Sequence, residues 1–497
     1  MERYVLGIDQ GTTGSKAILF DKKSNIIAQA YSEFQQHYPK PGWVEHDPME
    51  ILAVTMKVVK EALSKGEIDV NQIDSIGITN QRETTVFWNK ETGEPVGRAI
   101  VWQDRRSLGV VEDLLAMDPD VAARTGAPIV PNISASKIKW LLDNDEAVKA
   151  GVAEGKLLYG TIDTWLIWKW SKGSAHVSDL SNSSVTALLN ATTLDYDERV
   201  LEELAIPREI LPKLVPSSGI VAYTDEALFG AKIPIAGIAG DQQAATFGQA
   251  CVREGMAKNT YGTGSFMLMN TGAEYNPPQS GLFSPVLWTI GEETSYAFEG
   301  MADVSGAVVQ WLRDELEIIE KTEEVTELAM SVEDNGGVYF VPAFVGLGSP
   351  HFDSYARGTI IGITRGTGKA HIARAALESM AYQVRDALKI MENSADKKLD
   401  ILRVDGGGSK NDFLMQFQAD ILGIPVERPI ITETTCLGAA YLAGLATGYW
   451  TTLDEVEANW QLDKRFEPQI SEEKREELCT MWERAVKHAS GWLKFDE

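Results

Sequence analysis

Tyr4-Val-Leu-Gly-Ile-Asp9-Gln-Gly-Thr-Thr-Gly-Ser-Lys16-Ala-Ile-Leu-Phe-Asp21 is a short apolar strand, a turn of Gly, Thr and Ser, and a returning strand. About 250 residues later the design recurs as Met256-Ala-Lys-Asn-Thr-Tyr-Gly262-Thr-Gly-Ser-Phe-Met-Leu-Met269. Glycines let the backbone approach a ligand closely, so free N–H groups and Thr or Ser hydroxyls can ring a phosphate. Either hairpin alone is equally readable as an ordinary β-turn. Two of them, one in each half, predict a duplicated domain closing on one nucleotide from both sides, and therefore an ATP-using enzyme. Asp9 ends the first strand, and a carboxylate beside a phosphate loop calls for Mg²⁺ or another cation. A third element, Leu402-Arg-Val-Asp405-Gly-Gly-Gly-Ser-Lys-Asn411-Asp-Phe-Leu-Met, reads as strand, glycine turn and helix, with Ser409 or Asn411 as N-cap. Its turn and helix N-terminus suit adenosine or the α-phosphate.

Outward from these hairpins, residues 1–35 read as consecutive strands opening an α/β domain. Asp47-Pro48-Met49-Glu50 announces a helix to about Ser64, with an N-cap Asp, Pro at N1 and Glu at N3. Strands are predicted at Ile73–Thr79 and Thr84–Trp88, a helix at Ser134–Leu142, and a strand or helix within Leu157–Trp170. A strand at Ile233–Ile238 runs into Gly240-Asp241-Gln242-Gln243 and a helix of small residues. The second half repeats the plan: a strand near Ser295–Phe298, a helix from about Ser305 to Leu316, and a long helix from Ala370 to Met391. Two domains are expected, 1–250 with the acceptor site, the first hairpin and the catalytic Asp, and 251–497 with the second hairpin and the adenosine site. Ile363-Thr-Arg-Gly-Thr-Gly368-Lys369-Ala370 has the look of a P-loop ending, but Ile363 and Ala370 break the pattern. It reads as a loop capping the next helix.

The 497 residues carry a net charge of −26, which argues against a nucleic-acid partner and leaves phosphate binding to local dipoles and metal. No apolar stretch is long enough for membrane insertion, and Tyr4 to Ile8 reads as a strand rather than part of a signal peptide. Cys251, Cys436 and Cys479 are few and far apart, so no disulfide framework or zinc site is expected and the setting is cytoplasmic.

Asp241 is the candidate catalytic carboxylate. It stands where a strand ends and a helix begins, the edge at which α/β ligands gather, and phosphoryl transfer to an alcohol needs a base there. A helix-capping Asp is the plainer alternative. Arg82 and Glu83, adjacent in a loop between strands, can together hold vicinal hydroxyls, although a surface ion pair is the commoner fate of such neighbours. Trp102 and Phe266 suit the carbon face of a polyol.

Asp9-Gln-Gly-Thr-Thr, Pro41-Gly-Trp-Val-Glu-His-Asp-Pro48, Gly77-Ile-Thr-Asn-Gln-Arg-Glu-Thr84, Val101-Trp-Gln-Asp-Arg-Arg106, Ala239-Gly-Asp-Gln-Gln243, Asn259-Thr-Tyr-Gly-Thr-Gly264, Gln310-Trp-Leu-Arg-Asp314, Tyr355-Ala-Arg-Gly358 and Leu414-Met-Gln-Phe-Gln-Ala-Asp420 closely resemble the glycerol kinases of the FGGY carbohydrate-kinase family. The resemblance spans nearly the whole chain. It implies two ribonuclease-H-like domains of the actin and Hsp70 ATPase type around a nucleotide cleft. It further implies ATP-dependent phosphorylation of glycerol to sn-glycerol 3-phosphate by a homo-oligomer, a dimer or tetramer. Carried over, Thr12, Thr13, Gly14 and Lys16 meet the phosphates, with Gly14 where the family usually has Ser. Thr263, Gly306, Gln310, Gly408, Asn411 and Asp412 line the nucleotide, Asp412 standing where a second Asn is usual. Arg82, Glu83, Trp102, Asn132, Asp241, Gln242 and Phe266 bind the acceptor, Asp241 acts as base, and Asp9 and Asp241 serve Mg²⁺.

Asn132 stands where the family has a glycerol-binding Tyr. This departure exchanges an aromatic wall and hydroxyl for a shorter amide and predicts a pocket that is larger or wetter on that side, with either weaker glycerol binding or room for a longer polyol. Features of the family's fructose-bisphosphate site are absent around Ala227–Lys232, and Val221–Lys232 contains no His. A kinase for a related small polyol or ketose is the alternative within the family. An actin-like or chaperone-like ATPase has no use for the polyol set, and the presence of both Asp9 and Asp241 speaks against a pseudokinase.

Overall fold

The architecture is that of a computed structural model describing residues 2–278 and 281–494. Thirteen strands form one continuous sheet, and its two flanks have the same plan. In the first half, Ile26–Glu33, Gly14–Phe20 and Tyr4–Gln10 are antiparallel neighbours, followed in parallel by Ile73–Asn80 and Pro234–Gly240. In the second half, Glu293–Ala302, Ser265–Gly272 and Ala257–Tyr261 are antiparallel, followed in parallel by Leu402–Asp405 and Val426–Pro429. The duplication expected from the hairpins is thus a duplication of strand order and direction. Between the flanks the ladder narrows to one parallel pair, Ser218 opposite Ile290.

Alternation along the strands decides what covers each face. Leu6, Ile8 and Leu19 pack against Ile51, Val58 and Val59 of the helix Pro48–Gly66. Val5, Ile18 and Phe20 point the other way, against Leu437 and Ala440 of Thr434–Thr447. The helix Lys369–Ala395 fills the second half's core through Ala376, Met380 and Leu388. Asp47 accepts from the Met49 and Glu50 amides and Gly368 caps Lys369–Ala395, as their sequences predict. Leu157–Trp170 resolves into a strand, Leu157–Gly160, and a helix, Ile162–Trp170.

The helix Thr434–Thr447 comes from the second half of the chain yet packs on the strands of the first. It lies so close that a Cβ at Gly77 would stand 2.0 Å from the Ala439 carbonyl oxygen, and one at Gly438 1.8 Å from that of Ala244. Two glycines therefore set the distance between this helix and the floor of the site. No described helix is long and apolar enough to cross a membrane.

Candidate active site

Three parallel strands, Tyr4–Gln10, Ile73–Asn80 and Pro234–Gly240, end side by side. Asp9 lies level with Thr79, and Asn80 with Gly240, so Asp9, the 81–83 loop and Asp241 meet at one carboxyl edge. Asp241 is the first residue of the helix Asp241–Gly248 and not its cap; Gly240 holds that position. One Asp241 oxygen accepts from the Gln242 amide at 2.7 Å, and Arg82 Nε stands 3.0 Å from the same oxygen. Burial raises the Asp241 pKa, with Arg82 opposing and Glu299 reinforcing the rise.

Arg82 and Glu83 do not pair with each other. The Arg82 fork is held by Glu299, at 2.8 Å from Nη1 and 2.6 Å from Nη2. Glu83 is buried, with a left-handed backbone at φ 66°, and its carbonyl accepts from Ser134 Oγ at 2.9 Å. Burial lifts the Glu83 carboxyl, while Arg82 and the buried Lys137 oppose that rise. Lys137 donates to the Asn132 carbonyl, so the helix Ser134–Asn144 holds both Glu83 and Asn132 by its first turn. Asn132 Oδ1 is buried without a hydrogen-bond partner. Opposite, Lys258 Nζ donates to Gln242 Oε1 at 2.5 Å and lies 3.4 Å from the Phe266 carbonyl, joining Gln242 and Phe266 through one buried cation. Trp102 Nε1 donates to Thr12 Oγ1 at 2.9 Å, tying the indole to the first hairpin.

In that hairpin Thr13 is exposed at the turn, and the Lys16 ammonium meets Glu433 at 2.5 Å. Gly14 is buried, and a Cβ there would stand 2.7 Å from the Ser32 carbonyl oxygen, so the backbone packs too closely at this position for a side chain to fit without a shift. The second hairpin lies beside Gly306 and Gly408, two of the residues expected around a nucleotide. The Gly262 carbonyl accepts from the Gly306 amide at 2.9 Å, and that of Thr263 from Ser305 at 2.8 Å. Gly408 lies against Tyr261, where a Cβ would stand 2.8 Å from the tyrosine's own. Gln310 is exposed on the helix Gly306–Asp314. Asn411, and not Ser409, caps Asp412–Leu422, accepting from the Leu414 amide at 3.1 Å. The Asp412 carboxylate is engaged by Arg428 at 2.9 Å and Lys464 at 2.7 Å.

Burial, the Asp241 charge and Glu433 push the Asp9 carboxyl up to about 7 against the pull of Lys16. Carboxylates crowded in this way fit a divalent cation. Among the described residues no group of three or more metal-ligating side chains converges.

Glu299, Lys258, Lys137 and Glu433 escape a reading of the sequence alone. For the first three the signal is a charged residue inside an otherwise buried run, as in Tyr296-Ala-Phe-Glu299-Gly and Ala257-Lys258-Asn, because an ion is seldom buried without a partner, whereas the half-exposed Glu433 carries no such signal.

Residues 4–248 match the N-terminal domain, and residues 257–447 the C-terminal domain, of the FGGY family of carbohydrate kinases. The chain is similar to glycerol kinase of Petrotoga mobilis, 55% identical over 99% of this chain and 100% of the relative. It is also similar to glycerol kinase 2 of Thermotoga maritima, 54% identical over 99% and 100%. Among solved structures, Plasmodium falciparum glycerol kinase with ADP superposes with a TM-score of 0.93 at 34% identity, covering 98% of each chain.

Proposed function

The chain belongs to the FGGY family of carbohydrate kinases, and from that premise we propose that it transfers the terminal phosphoryl group of ATP to glycerol, forming sn-glycerol 3-phosphate and ADP. The observation that carries this reading is the Arg82–Asp241 pair at 3.0 Å, set on a strand edge between two phosphate-type hairpins. Asp241 takes the proton of the attacking hydroxyl, and its upward-shifted pKa makes it a better acceptor than a solvated carboxylate. Arg82, Glu83, Asn132 and Gln242 hold the hydroxyls, with Trp102 and Phe266 along the carbon chain. Thr12, Thr13, Gly14, Lys16 and Thr263 receive phosphates, and Gly306, Gln310, Gly408, Asn411 and Asp412 line the nucleoside. Mg²⁺ held by Asp9 and Asp241 would neutralise charge on the transferring phosphate. Three buried thiols, Cys251, Cys436 and Cys479, suit a reducing cytoplasm.

A coupled ADP-release assay over three- to five-carbon polyols tests the reading. Glycerol is expected to give the highest kcat/KM. Absence of glycerol-dependent ADP release would exclude it.

A further inference from the structure

Arg82 carries five N–H donors in a planar fork. Three hydrogen bonds occupy its outer side: Nη1 to Gln243 Oε1 at 3.3 Å and to Glu299 Oε2 at 2.8 Å, and Nη2 to Glu299 Oε1 at 2.6 Å. The inner edge, Nε with the second Nη2 hydrogen, makes no hydrogen bond among the described residues, although Asp241 stands 3.0 Å from Nε. Glu299 is only 5% exposed in the middle of Glu293–Ala302, a strand of the second half, whereas Arg82 belongs to the first.

We propose that Glu299 is a positioning residue for the acceptor: its bidentate grip aims the inner edge of Arg82 at the space beside Asp241, so that one substrate hydroxyl meets two donors and a base. This rests on the function proposed above. Glu299 occupies the Nη1/Nη2 edge of the guanidinium, which leaves Asp241 only the contact with Nε. With Glu299 in place, Asp241 stays outside the fork and available to a proton. Without Glu299, the nearest carboxylate to the fork is Asp241, and Arg82 turns onto it. The acceptor site then loses its donors and its base together, although neither Arg82 nor Asp241 has been changed. The remaining cation close to this pair, Lys258, is committed to Gln242 and Thr260, and the Glu83 backbone carbonyl is held by Ser134.

The test is kinetics of E299Q, which keeps the shape of the side chain and removes its charge. The expected result is a fall of roughly 10- to 100-fold in kcat/KM for glycerol, the loss typical of a charge-assisted pair, with kcat reduced and KM raised. ADP affinity should remain within about twofold, because the nucleotide meets other elements. In R82K, which has already lost the fork, adding E299Q should change kcat/KM by less than about threefold. Multiplied losses in the double variant, or an E299Q enzyme with native kcat/KM, would overturn the proposal. Should E299Q not fold, E299D, whose carboxylate is drawn back by one methylene, answers the same question: at least a tenfold loss supports the proposal, and native kinetics refute it. If the unaltered enzyme does not phosphorylate glycerol, the function itself is wrong, which is a different outcome from a silent E299Q.

Discussion

Asp241 sits where two demands meet, close enough to Arg82 to be oriented and outside its fork, so still able to accept a proton. Asp241→Asn should bind ATP and glycerol yet lose on the order of 10²–10⁴ in kcat. Rapid-quench and binding measurements decide it, and near-native turnover would remove Asp241 from the role of base. Asn132 poses a question of size. Its Oδ1 is buried without a partner while its carbonyl is anchored by Lys137, so the amide has a fixed backbone and an unused acceptor. Asn132→Tyr restores an aromatic wall, effects worth roughly 1–3 kcal/mol. The variant should show a lower KM for glycerol and poorer kinetics on erythritol; unchanged kcat/KM on both would mean that position 132 does not touch the acceptor. Asp241 was legible in the sequence because a strand end followed by a small-residue helix is a local pattern. Glu299 was not, because its partner Arg82 is 217 residues away and neither segment shows why it carries a charge.

At the scale of elements, the first hairpin is braced from below by a chain of polar side chains. Gln81 Nε2 donates to Gln10 Oε1 at 3.0 Å and reaches His46 Nδ1 at 3.4 Å. His46 Nε2 meets Gln36 Oε1 at 2.6 Å, and Gln36 Nε2 donates to the Thr12 carbonyl at 3.0 Å. His46 therefore bridges two amides as a neutral ring, and a second ring proton would lose the Gln81 contact. Burial, with His37 adding a smaller push, lowers its pKa from 6.5 to about 4. In that window the unfolded chain binds a proton that the folded one excludes, so stability is full above 6.5 and falls as the pH drops towards 4. The loss is on the order of 3 kcal/mol at most. Urea unfolding of the native chain and of His46→Gln across this range should show a shallower slope for the variant, and parallel slopes would rule the mechanism out. The helices and strands that the patterns predict are present, with ends displaced by a few residues. Leu157–Trp170 could not be typed in advance because its apolar run is continuous and carries no period until Gly160 and Thr161 break it.

For the whole molecule, the sheet passes from one flank to the other through a single strand pair, Ser218 and Ile290, while the Arg82–Glu299 bridge and the helix Thr434–Thr447 also span the two halves. Closing both hairpins on the phosphates of a bound nucleotide would exclude water from them, and it requires one flank to turn against the other about these contacts. Small-angle scattering should show a smaller radius of gyration with glycerol and a nonhydrolysable ATP analogue than without; an unchanged radius in a chain that starts open would argue against rotation. The sequence by itself determined the duplication, the two hairpins, the carboxyl-edge Asp241 and the family, because each is written in contiguous residues whose geometry follows from glycine, alternation and capping. Only the tertiary structure decided that Thr434–Thr447 packs on the opposite half and that Glu299 takes the fork of Arg82. It alone joined Lys258 to Gln242, and Lys137 to Asn132. These are pairings between distant segments, and a buried charge shows its purpose only when the folded chain brings its partner within reach.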